Sequence, residues 1–95
     1  MINSEFLTAN AAHFAKLIQT EAGPQADLPQ KIEIAYWTAL SRAPSAAESK
    51  LAQNHIHYLS TLYEQSGTKA DEAHQRSFEN FAHMLLCSNE FLYID

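Results

Sequence analysis

The chain has 95 residues, 46% of them hydrophobic and 18% charged, with a net charge of −5 and one cysteine. That length suits one domain with one core, and the apolar content is too high for a disordered tail. The acidic balance, with Lys16, Lys31, Arg42, Lys50, Lys69 and Arg76 scattered along the chain, argues against nucleic acid or a membrane surface as partner, and one cysteine excludes an internal disulfide framework or a zinc site built on cysteine pairs.

Two glycines and three prolines fall between periodic apolar segments and divide the chain into four helices. The first, Ser4 to Ala22, gathers Leu7, Ala11, Phe14, Ala15, Leu17 and Ile18 on one side, with Ser4 as its cap and Gly23 as its stop. The second, Leu28 to Ser41 after a capping Asp27, places Ile32, Ala35, Tyr36, Ala39 and Leu40 on one face. Ile34 and Trp37 project elsewhere, so this helix is apolar nearly all round, as befits a central helix or one with a partner on its far side.

A sharp corner follows. Pro44 disfavours helical geometry at Ala43, and Ser45 with Glu48 forms a Ser-x-x-Glu capping box that starts the third helix, Ala46 to about Ser66. Its apolar arc is read as Ala47, Leu51, Tyr58, Leu59 and Leu62, and Gly67 stops it. The fourth helix, about Ala70 to Ser88, aligns Phe78, Phe81, Ala82, Leu85 and Leu86, with Asp71 and Glu72 at the positive end of its dipole. The expected fold is all-α, a compact bundle of four amphipathic helices with short loops, occupying residues 1–95 as a single domain. No apolar run approaches the roughly 20 residues of a membrane span, so no membrane insertion is expected.

Candidate chemistry is sparse. Arg42 sits just past a helix C-terminus and Glu90 in the closing segment; a pair between them would tie the corner of Arg42, Ser45 and Glu48 to the end of the chain. His83 and Cys87, four apart, share a helix face as zinc ligands would, but two ligands make no complete site, so no metal and no cofactor is expected. His55 and His74 fall inside apolar arcs, where an imidazole requires a hydrogen-bond partner such as a carbonyl, Tyr36, Tyr58 or Tyr63. There is no nucleophile elbow, His-Glu-x-x-His motif or glycine-rich phosphate loop, and the chain is read as not an enzyme.

The run Ile32-x-x-Ala35-Tyr36-x-x-Ala39-Leu40-Ser41-Arg42-x-Pro44-Ser45-x-x-Glu48, with Leu85-Leu86-x-Ser88-Asn89-Glu90-Phe91-Leu92-Tyr93-x-Asp95, resembles the C-terminal region of a planctomycete domain family of unknown function. That family occurs in large exported proteins that often carry a planctomycete-type cytochrome c domain. The resemblance implies the C-terminal module of a longer protein and an exported, periplasmic or cell-surface setting. Trp37 and Cys87 depart from the family pattern, which has a basic and a small or polar residue there, and the haem motif Cys-x-x-Cys-His is missing from this chain. A second likeness is to small helical domains of secreted bacterial matrix proteins related to phycobilisome linkers.

These readings lead to a non-catalytic helical domain that packs against other domains of its parent protein or a protein partner. Ile34 and Trp37 are the expected interface, and weak self-association through that patch is a corollary. The alternative is a small-ligand or metal-binding bundle using His55, His74 or the His83 and Cys87 pair.

Overall fold

The computed structural model describes the backbone of residues 4–92 and the side chains of residues 9–88. Helix α1 (Ser4–Ala22) ends where Gly23 takes a φ of 86° and donates to the Gln19 carbonyl at 3.1 Å. Helix α2 (Leu28–Leu40) begins at Asp27, whose carboxylate accepts from Gln30 N–H at 2.9 Å while the Gln30 side chain accepts from Asp27 N–H at 2.9 Å. Two orphan donors of that first turn are thus satisfied, and Pro29 has no N–H to satisfy.

The corner after α2 is closed from both sides. Ser41 caps α2 in the left-handed region at φ 58°, its N–H donating to the Trp37 carbonyl at 3.0 Å. Helix α3 (Ala46–Gln65) starts on the capping box, with Ser45 Oγ accepting from Glu48 N–H at 3.1 Å and Glu48 Oε1 accepting from Ser45 N–H at 2.9 Å. Ser45→Ala should therefore cost about 1 kcal/mol, the usual effect of losing an N-cap. Thermal unfolding with an unchanged midpoint would show that Ser45 is not the cap.

Helix α4 (Ala70–Leu92) follows a turn in which Gly67 adopts φ 98°. It runs beyond the expected end at Ser88, because nothing between Leu86 and Leu92 breaks a helix. The expected caps at Ser4 and the pairing of Glu90 involve side chains outside the described residues.

The four helices form an all-α bundle with no strand among the described residues. Among the described residues, helices α1 and α3 both pack on α4 without packing on one another, and α2 touches all three. One core joins them: Phe14, Ala15 and Ile18 from α1, Ile32, Ala35 and Tyr36 from α2, Ala52 and Ile56 from α3, and Phe78, Phe81, Ala82 and Leu85 from α4. Leu28, Ile34, Ala39 and Leu40 pack on its edge, which explains why α2 is apolar nearly all round.

The α3 face differs from the expected one. Ala47, Leu51, Tyr58 and Leu62 are exposed, Leu59 is half-buried, and Ala52 and Ile56 are the buried residues. At about 100° per residue the helix is turned by roughly a third of a revolution from the arc of large apolar residues. Small polar contacts set this rotation. Buried Ser77 donates to the Ala73 carbonyl at 2.7 Å, and Ser60 of α3 donates to Ser77 Oγ at 3.1 Å, so hydroxyls lie on the seam where large side chains were expected. Small residues allow the two helices to approach closely, and each hydroxyl finds a partner. On α1, Leu17 likewise lies outside the core at 52% exposure.

Candidate docking surface

The corner between α2 and α3 positions a charged pair closer than that of Arg76 and Glu72 on α4. Arg42 Nη1 and Nη2 donate to Glu48 Oε1 and Oε2 at 2.7 and 2.8 Å, a two-pronged pair, and Nη1 also donates to the Ala43 carbonyl at 3.1 Å. Behind it the guanidinium carbon stands 5.5 Å from the centre of the Tyr36 ring. Arg42 is thus held by the capping-box glutamate; its expected pairing with Glu90 falls on a side chain outside the described residues. Arg42 and then the Ser45 N–H hold the Glu48 carboxyl down at about 2, from an ordinary 4.5. Burial, followed by the Glu48 charge, raises the Tyr36 phenol against the opposing influence of Arg42.

The sign of the resulting pH dependence follows from the depressed glutamate. Its contribution is present in full above pH 4.5, where the unfolded carboxyl is ionised, and is lost as pH falls through about 2. Wild type should therefore lose its stability advantage over Glu48→Gln across that interval, as read from paired urea titrations. A constant difference between the two proteins would remove Glu48 from the acid response.

Beside this corner the surface opens into a depression of about 390 Å³ between α3 and α4. Its floor is Ala52, Phe81 and Leu85, its walls are Leu51 and Met84, and Tyr36, Glu48, His55 and Ser88 stand around it. A second depression of about 460 Å³ shares Tyr36, Glu48, Leu85 and Ser88 and adds Leu40, Arg42 and Cys87. The wall residues are open to solvent, Leu51 at 68% and Met84 at 48%, and Tyr58 continues the line along α3 at 64%. Large apolar side chains left in water in one contiguous strip mark an interaction surface more often than isolated ones do.

The histidines take other places. His55 Nε2 lies 3.0 Å from Asn80 Oδ1, so its partner is an asparagine across the α3 and α4 seam rather than a carbonyl or tyrosine. That contact requires the proton on Nε2. His74 is half-buried on α4; burial first, then the charges of Lys31 and His57, lowers its pKa from 6.5. His83 Nε2 and Cys87 Sγ are 3.9 Å apart, and no cluster of three or more His, Cys, Asp or Glu suited to a metal occurs among the described residues.

Of the expected interface pair, Trp37 is 55% exposed, whereas Ile34 is half-buried against the core. Trp37 is thus the more open member of the pair. Sequence reasoning missed the strip of Leu51, Tyr58 and Met84 because it assigned the α3 arc to the core. The available signal was Ile56, a β-branched residue about 140° from Leu51 and the natural centre of an alternative inward face with Ala52.

No family model, no curated protein and no solved structure matches this chain. Among the described residues, no helix is long and apolar enough to cross a membrane.

Proposed function

We propose that this chain is a non-catalytic helical interaction module, packing against other domains of a longer protein or against a protein partner. The observation that carries this reading is the apolar depression between α3 and α4, floored by Phe81 and Leu85 and walled by solvent-exposed Leu51 and Met84. The Arg42 and Glu48 pair fixes one side of the depression, giving a rigid edge beside an apolar surface. The family resemblance at the Leu40 to Glu48 corner supports a module within a larger planctomycete-type assembly. Trp37, exposed on α2, is a second contact point on a different face.

Cross-linking in extracts of the source cells tests the reading, with wild type beside Leu51→Glu and Trp37→Lys. Leu51→Glu should lose the specific cross-linked species while keeping the helical circular dichroism of the parent. Identical cross-link patterns from all three folded proteins would overturn it.

A further inference from the structure

The exposed side of α3 is self-complementary. Leu51, His55, Tyr58 and Leu62 recur at intervals of four, three and four residues, which aligns them along one side of the helix. Leu51, Tyr58 and Leu62 are 68%, 64% and 40% exposed, and Met84 of α4, 48% exposed, lines the same depression as Leu51. Reversing the direction of this row reproduces it: Leu51 meets Leu62, and His55 meets Tyr58.

We propose that this face binds a second copy of the chain, with the two α3 helices antiparallel about a two-fold axis between Ile56 and His57. The proposal rests on the reading of the chain as an interaction module and names one partner for it. A two-fold interface requires one surface to fit itself, and the reversed row does so.

The reversal of the row selects the antiparallel sense, and charge does not oppose it. The neighbours of the row, Ala47, Asn54, Thr61 and Gln65, are uncharged, and Glu48 at its edge is already paired with Arg42. Lys50 and Glu64 lie about 110° and 150° round α3 from the centre of the row, so the contact face carries no unpaired charge to oppose the self-fit. The area is adequate for a modest dimer. At their exposures, the four large apolar side chains leave on the order of 400 Å² uncovered per copy. Pairing two copies and their flanking residues reaches the roughly 1,200 Å² at the lower end of specific interfaces.

Sedimentation equilibrium from micromolar to millimolar chain concentration should show the average mass rising from monomer towards dimer. Leu62→Lys should weaken that association about tenfold or more, while Trp37→Lys leaves it unchanged. Leu51→Lys serves the same purpose if Leu62→Lys alters the circular dichroism. Orientation is read by mixing Leu51→Cys and Leu62→Cys chains, each also carrying Cys87→Ser, and oxidising: the mixed disulfide should dominate over either self-disulfide. A monomer at every concentration, an association lost in Trp37→Lys instead, or a dominant self-disulfide at position 51 would overturn the proposal. A monomer whose Leu51-dependent cross-links to another protein persist in extract would overturn the dimer alone; loss of both would overturn the module reading as well.

Discussion

Phe78→Ala should cost about 3 to 5 kcal/mol, a large part of the roughly 5 to 14 kcal/mol available to a chain of this length. Phe78 is fully buried on α4, which like α2 contacts the other three helices. Its ring centre lies 5.7 Å from that of Phe81 at 53°, and Phe81 in turn lies 6.3 Å from Tyr36 at 35°. The ring therefore contributes to a chain of aromatic contacts linking α4 to α2 as well as filling volume. Ala82, one turn along α4 and in the same core cluster, has no side-chain length with which to fill the vacated space, so much of the cavity persists. A urea midpoint shifted strongly downward at unchanged slope is the expected result. A midpoint equal to that of the parent would mean that the core is not centred on Phe78.

How far the fold was legible depended on the kind of signal. Caps and breakers are local: Asp27, Ser45 with Glu48, Gly23 and Gly67 each act within a few residues, so they located the helix ends between α1 and α4. The apolar face of α4 was also visible, because Phe78, Phe81, Ala82 and Leu85 all point one way and all become buried. Helix α3 was misread because two apolar directions compete on it, and only packing against α4 decides between them. Ser60 and Ser77 look like surface residues in isolation, yet their mutual hydrogen bond makes a close, satisfied seam.

The site was legible in part for the same reason. The residues of the corner were identifiable, but the partner of Arg42 was not, since Glu48 already had a role in capping. Its two oxygens accommodate both roles: Oε1 accepts from Ser45 and Arg42, and Oε2 accepts from Arg42 alone. Which apolar side chains remain outside after folding is a tertiary property. Leu17, Leu51 and Tyr58 have ordinary core composition and are nonetheless open to solvent.

The second large effect follows from the rotation of α3 and separates the two faces directly. Ile56→Ala should destabilise the protein by about 2 to 5 kcal/mol, because Ile56 is fully buried in the core cluster and its truncation leaves a cavity. Leu51→Ala removes a comparable amount of side chain, yet at 68% exposure it should change stability by no more than about 0.5 kcal/mol. Leu59, half-buried between these two directions, should fall between them. Equilibrium urea unfolding of the three variants at low chain concentration keeps the comparison free of any contribution from association. The opposite order, with Leu51→Ala severe and Ile56→Ala mild, would return the large apolar arc to the core and remove the exposed strip on which the docking surface stands.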